Sequence, residues 1–183
     1  MSPRIIGGAG KGRRLKAPPG GETRPTGARV RPTLFDILAP VIPGSRFLDA
    51  FAGSGGVGLE ALSRGARRVV FIVDSRAAID AVRANLALLA PGAPGVDFIR
   101  QDARAAVAAL GDRGERFDVV YLDPPYGSEL YEPMLPLLGA ILAEDGVIVA
   151  EHFHKCLLPE RMGGLVNTRS VRVGDHKLTF YRR

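Results

Sequence analysis

Cysteine is almost absent. Cys156 stands alone in 183 residues, so no intrachain disulfide can form and a reducing compartment is expected. Long apolar runs are missing too. No stretch approaches the roughly 20 apolar residues that a membrane span needs, and Met1 leads into Ser2, Pro3 and Arg4 with no apolar run behind them. Neither a span nor a signal peptide is therefore expected, and the cytoplasm is the expected location. Internal repeats and a composition break between domains are also lacking, so one domain with a substantial core is expected. Acids are scarce in one place. Residues 1–31 hold only Glu22 against eight Lys or Arg, a local charge of +7 where the whole chain carries +6, so the remainder sums to −1. A basic arm on a near-neutral body suits a polyanionic partner, because each phosphate neutralised releases counterions. The same charges would equally suit a solvated, poorly ordered terminus.

What is present begins with that arm. Arg4 to Gly27 is rich in Gly, Pro and Arg without periodicity, which predicts turns and short extended pieces rather than a packed layer. Pro32 then opens a predicted helix through Leu38, ended by Pro40 and Pro43-Gly44. From Arg46 short apolar strands alternate with helices. The strands are Phe47–Phe51, Val69–Val73, Val96–Ile99, Phe117–Leu122 and Val147–Ala150. The helices are Val57–Arg64, Arg76–Leu89, about Ala103–Leu110 and about Leu130–Leu142. Continuous apolar strands separated by helices predict an α/β fold, a doubly wound, mostly parallel sheet covered on both faces. Val166–Val173 and Leu178–Arg182, joined at Gly174-Asp175, predict a C-terminal antiparallel hairpin.

Two motifs carry chemistry. Gly53, Gly55 and Gly58 form G-x-G-x-x-G between the first strand and its helix, with Asp74 after the next strand where a ribose-binding acid belongs. Glycines let the backbone approach a nucleotide-like cofactor, though they can also serve a tight turn alone. Asp49 adds a discriminating feature, since a carboxylate at that strand tip repels a diphosphate and favours a ligand bearing an ammonium and a sulfonium. It can also cap the N–H groups of the turn. The second motif is Asp123-Pro124-Pro125-Tyr126, directly after the apolar Val119–Leu122. Two prolines make a rigid turn that can aim the Asp123 carboxylate and the Pro124 carbonyl at one amine, with the Tyr126 ring to stack on a base. In a doubly wound sheet the first and fourth strands are neighbours, so both motifs should meet at the switch point.

With these motifs placed, the chain resembles the RsmD-type 16S ribosomal RNA guanine-N2 methyltransferases. The likeness runs through Arg4-Ile5-Ile6-Gly7-Gly8, Lys11-Gly12-Arg13, Arg24-Pro25-Thr26, Arg29-Val30-Arg31 and Leu34-Phe35. It continues through Leu48–Gly55, Gly58–Ala66 and Asp123–Tyr126. The resemblance implies a Rossmann-like class I methyltransferase fold at 32–183, with residues 1–31 as an RNA-binding arm of the same domain. It implies S-adenosylmethionine as cofactor, held by Asp49, Ala50, Phe51, Ala52, Gly53, Ser54 and Gly55, with Asp74 on the ribose and Asp102 and Ala103 on the adenine. Where the family carries Glu, this chain has Val73, and the acid follows one position later. Asp123, Pro124, Pro125 and Tyr126 are the implied catalytic residues, and Arg4, Lys11, Arg13, Arg24, Arg29 and Arg31 the implied RNA contacts. The implied partner is 16S ribosomal RNA, free or within an assembling 30S particle, with the chain as a monomer and no membrane association.

An adenine-N6 methyltransferase on RNA or DNA is the alternative, since it would use the same tetrapeptide. An NAD-dependent oxidoreductase is the alternative from another class, through Gly53–Gly58. His152, His154 and Cys156 are spaced by two and could mimic a metal site, but read better as polar residues at a strand end. No metal is expected. Glu60 reads as a structural partner of nearby backbone or arginine.

Overall fold

In the computed structural model the described residues are 4–16, 27–89, 95–125, 127 and 129–183. They form, in order, α1 (Gly27–Leu38), β1 (Arg46–Asp49), α2 (Gly56–Ser63), β2 (Arg68–Val73), α3 (Arg76–Leu89), β3 (Val96–Arg100) and α4 (Ala103–Asp112). After these come β4 (Phe117–Leu122), α5 (Tyr131–Ala140), β5 (Leu142–Phe153), β6 (Arg161–Met162), β7 (Leu165–Val173) and β8 (His176–Arg182). Among the described residues the strands make one eight-stranded sheet in the order β3-β2-β1-β4-β5-β8-β7-β6. The first five are parallel, and β8, β7 and β6 join antiparallel. The α/β, doubly wound expectation with its terminal hairpin is met.

Apolar strands bury both faces, which gives two cores. One packs Phe47, Phe71, Val119 and Val149 under α1, α2 and α3, with Leu34, Phe35, Leu59 and Val82 facing the sheet. The other packs Leu48, Val70, Val120 and Ile148 under α4 and α5, with Val107, Leu110, Leu135 and Leu138. Each fully buried Leu or Phe contributes about 1.5–3 kcal/mol relative to exposure.

Three local expectations differ from the structure. α1 begins at Gly27 and carries Pro32 inside it rather than at its first turn. Arg29 and Arg31 are therefore helical residues and not part of a loose arm. β5 starts at Leu142, five residues before the expected Val147. Glu144, Asp145 and Gly146 hide its extended backbone from an apolar pattern, and a register shift between Phe117 and Val119 of β4 absorbs the additional residues. The third difference concerns residues 4–16, which are packed. Ile5 and Leu15 are buried in the first core, and a small hairpin closes through Ile5 N to Arg13 O and Gly12 N to Ile5 O, both 2.9 Å.

Polar side chains of α2 and α3 hold that hairpin. Glu60 has no exposure, and its two carboxylate oxygens accept from Ile6 N and Gly7 N at 2.8 Å and from Arg64 Nε at 2.7 Å. Ser63 Oγ accepts from Gly10 N at 2.9 Å and donates to Gly7 O at 2.6 Å. Asn85 brackets Lys16, accepting from its N at 2.7 Å and donating to its O at 3.0 Å. Gly8, at φ 74, lies so close to Ser63 O that a Cβ there would stand 1.8 Å from it. Glycine is obligatory at that contact.

Candidate active site

The site lies where the sheet reverses its order. β1 pairs with β4 so that Asp49 stands opposite Tyr121, and the chain leaving β1 is hung from both neighbours. Ala50 N donates to Tyr121 O and Ala52 N donates to Ile72 O, each at 3.0 Å. The glycine turn is thereby fixed against the tip of β4, where Asp123, Pro124 and Pro125 follow. The two motifs therefore follow paired, neighbouring strands, as the topology requires.

Each glycine of the turn has its own physical reason. Gly53 sits at φ 49 with open space where a Cβ would project. Gly55 sits at φ 76, donates to Ala52 O at 2.6 Å, and would push a Cβ within 2.8 Å of the Val82 methyls. Gly58 lets α2 lie on the sheet, since its Cβ would stand 2.3 Å from the Phe71 ring. These are the needs of a tight turn, of close approach and of helix–strand packing.

Asp49 is 1% exposed and its Oδ2 accepts from Gly58 N at 3.0 Å, so the capping role is filled. Burial pushes its carboxyl up to about 7, opposed by that one hydrogen bond. Around it Ala50 and Ala52 are buried, Phe51 and Ser54 half-buried and Gly53 exposed. Asp74 is exposed just past β2. Asp102, also exposed, caps α4, its Oδ1 accepting from Arg104 N at 3.0 Å and Ala105 N at 3.1 Å, with Ala103 buried behind it. Asp123 is half-buried, Pro124 buried and Pro125 exposed, while Tyr126 lies outside the described residues.

A polar cluster that the sequence did not announce stands behind the tetrapeptide. The Tyr121 hydroxyl donates to Glu151 Oε2, and Glu151 Oε1 lies 2.8 Å from His176 Nδ1, at ion-pair distance though not aligned as a hydrogen bond. Burial, then the Glu151 and Asp123 charges, raise the Tyr121 phenol well above its usual value. The Tyr131 hydroxyl donates to Glu151 O at 2.7 Å. The available signal was a glutamate closing the apolar run Val147–Ala150.

Of the six arginines and lysines expected on RNA, Arg4, Lys11, Arg13 and Arg29 are exposed, and Arg24 lies outside the described residues. Arg13 also donates to the Leu88 and Leu89 carbonyls, the latter at 3.1 Å. Arg31 is turned inward and half-buried, donating to Gly56 O at 3.3 Å and Arg4 O at 2.6 Å. His152 Nε2 lies 2.8 Å from Thr179 Oγ1 and His154 Nδ1 lies 3.0 Å from Asp175 O.

Sequence and structure comparisons point the same way. The family described as Conserved hypothetical protein 95 matches residues 3–182. The YlbH protein of Bacillus subtilis is 41% identical over 182 residues, 98% of each chain. Ribosomal RNA small subunit methyltransferase D of Escherichia coli K12 is 41% identical over 150 residues, covering 81% of this chain and 73% of that protein. The solved structure of the Escherichia coli protein yhhF superposes with a TM-score of 0.84 at 36% identity, covering 100% of this chain and 98% of that one.

Proposed function

Since the chain belongs to the Conserved hypothetical protein 95 family, that of ribosomal RNA small subunit methyltransferase D, we propose that it is an S-adenosylmethionine-dependent methyltransferase acting on the N2 amine of a guanine in 16S ribosomal RNA. The observation that carries this reading is the pairing of β1 with β4, with Asp49 opposite Tyr121. It sets the glycine turn and Asp123-Pro124 on neighbouring strand tips, about 4.8 Å apart between strands.

The residues at the turn fit the cofactor. Gly53 leaves open space at a positive φ where any side chain would intrude, and Asp49 offers a buried acid that an ammonium or sulfonium would favour in its charged form. A pyrophosphate would meet the opposite field, which disfavours a nicotinamide dinucleotide. Asp74, exposed just past β2, would accept from ribose hydroxyls. Because Oδ1 of Asp102 is held by α4, Oδ2 is the oxygen left for the adenine amine, beside Ala103. S-adenosylmethionine, when bound, supplies a methyl carbon made electrophilic by its sulfonium.

The protein's own task is to prepare the nucleophile. An exocyclic amine is a poor nucleophile because its lone pair is delocalised into the base. The Asp123 carboxylate accepts one amine hydrogen and the Pro124 carbonyl the other. These two bonds draw the nitrogen toward tetrahedral geometry and free the lone pair for in-line attack on the methyl carbon. The bond from that carbon to sulfur would break as the N–C bond forms, with S-adenosylhomocysteine as leaving group and the surplus amine proton passing by the Asp123 carboxylate to water. Pro125 stiffens the turn, and Tyr126 would stack on the base. Positioning supplies most of the rate, with no metal required.

The RNA is held by the cations of the arm, Arg4, Lys11, Arg13, Arg24 and Arg29. The substrate on this reading is 16S rRNA, free or within an assembling 30S particle, met in the cytoplasm by a monomer. Among the described residues no helix is long and apolar enough to cross a membrane. Nucleoside mass spectrometry after incubation with deproteinised 16S rRNA and with 30S particles tests the whole reading. N2-methylguanosine is expected, and N6-methyladenosine or no methylated nucleoside would overturn it.

A further inference from the structure

We propose that Arg31 is the receptor for the carboxylate of the amino-acid end of the cofactor, a role that rests on the S-adenosylmethionine reading above. Among the described residues the guanidinium of Arg31 makes two hydrogen bonds, both to carbonyls. Nη1 donates to Gly56 O at 3.3 Å and Nη2 to Arg4 O at 2.6 Å. Nε is buried and has no acceptor among the described residues. Among the described residues the charge has no carboxylate within ion-pair distance either. Glu60 is the nearby acid, and its oxygens are taken by Ile6 N, Gly7 N and Arg64 Nε.

A half-buried guanidinium whose Nε is buried and unpaired among the described residues is a costly arrangement unless a ligand completes it. Burial indeed lowers the Arg31 pKa from its ordinary value. Location identifies the missing anion. A Cβ on Gly56 would stand 3.1 Å from Nη1, so the guanidinium lies against the first residue of α2, directly after the glycine turn. It also feels the Tyr121 phenol, and Tyr121 stands opposite Asp49. Arg31 and Asp49 therefore flank one turn with opposite charge. An α-amino acid carries the matching pair, an ammonium for Asp49 and a carboxylate for Arg31. Phosphates of a bound RNA are the weaker fit, because Nε is withdrawn from the surface that the exposed Arg4, Lys11 and Arg29 occupy.

The test is calorimetry on the full chain with S-adenosylmethionine, its decarboxylated form, and 5′-methylthioadenosine, which lacks the amino-acid end altogether. The wild type is expected to prefer S-adenosylmethionine over the decarboxylated form by roughly 10- to 100-fold, the strength of one charge-assisted contact. Arg31→Gln should erase that preference while leaving 5′-methylthioadenosine affinity within about threefold. Arg31→Lys should keep part of the preference, since a cation remains without the fork. Loss of affinity for all three ligands alike would mean that Arg31 only braces the turn, and would overturn the proposal. So would a wild type that binds both methyl donors equally, a result that needs no variant to fold. A wild type that binds none of the nucleosides would sink the cofactor reading, and this proposal with it.

Discussion

If Asp49 meets the cationic end of the cofactor, as proposed, binding is a proton-linked event whose size follows from the structure. The Asp49 carboxyl, fully buried and held by one hydrogen bond from Gly58 N, is pushed up to about 7. At pH 6 about one molecule in eleven then carries the ionised form, and at pH 7 about one in two. If a cationic ligand binds only the ionised form, its affinity should rise about fivefold across that single unit. The window is chosen because an α-amino group, titrating near 7.7–8.0, stays mostly protonated throughout. Binding at pH 7 should also release about half a proton, seen as heats that differ between buffers of unlike ionisation enthalpy. The free protein shows the converse sign. Because the folded carboxyl titrates above its unfolded value, the native state binds the extra proton between about pH 4 and 7, and stability falls as pH rises through that range. The full effect is about 4 kcal/mol for a shift from 3.8 to about 7. Asp49→Asn, which can still accept from Gly58 N, should flatten both profiles and raise the melting temperature of the free protein at pH 8. Equal affinities at pH 6 and 7 in the wild type, or an unchanged slope in Asp49→Asn, would refute the reasoning.

Four other perturbations separate the parts of the site. On the proposed role, in which Asp123 positions the amine and not the donor, Asp123→Ala should abolish turnover in a methyl-transfer assay while calorimetry shows cofactor affinity within a few-fold of wild type. Gly58→Ala should cost about 1–3 kcal/mol in urea unfolding through its clash with Phe71. Gly53→Ala, in open space, should cost only about 1 kcal/mol in stability for its positive φ and should weaken cofactor binding more than Gly58→Ala does. Reversing Arg4, Lys11 and Arg29 to Glu should weaken RNA binding and reduce the slope of log affinity against log salt by about 3, one per phosphate contact. An unchanged slope would remove the arm from the interface.

The layered fold and the meeting of the two motifs were legible because they rest on periodicity and on residues with narrow conformational meaning. Apolar runs such as Val69–Val73 and Val119–Leu122, short and rich in β-branched residues, read as buried strands, and they are. Gly53, Gly55, Pro124 and Pro125 constrain backbone wherever they occur. The packing of the arm was not legible, because its anchors are polar and remote. Glu60, Ser63 and Asn85 bind residues 53 to 69 positions away, and no local pattern reports a hydrogen bond across that span. The start of α1 was missed for a related reason. Pro32 normally marks a first turn, and here tertiary packing of Val30, Leu34 and Phe35 carries the helix through it. An arginine in a basic run also looks alike whether it faces water or a carbonyl, so Arg31 could not be told from Arg29.

The placement of those anchors bears on how the two halves of the reaction are held together. Glu60 and Ser63 belong to α2, the helix that begins at the glycine turn, and Asn85 belongs to α3, whose Val82 packs against Gly55. Arg31 reaches the arm and the turn at once through Arg4 O and Gly56 O. The arm is therefore bonded to the same helices that fix the backbone of the turn, through groups buried well enough that each lost partner would leave an unsatisfied donor or carboxylate. A flexible basic tail could gather RNA, but it could not set the distance between a bound nucleotide and a group held at the turn. A hairpin fixed to α2 can, because any RNA it grips would be held in register with the helix whose Gly58 N bonds Asp49.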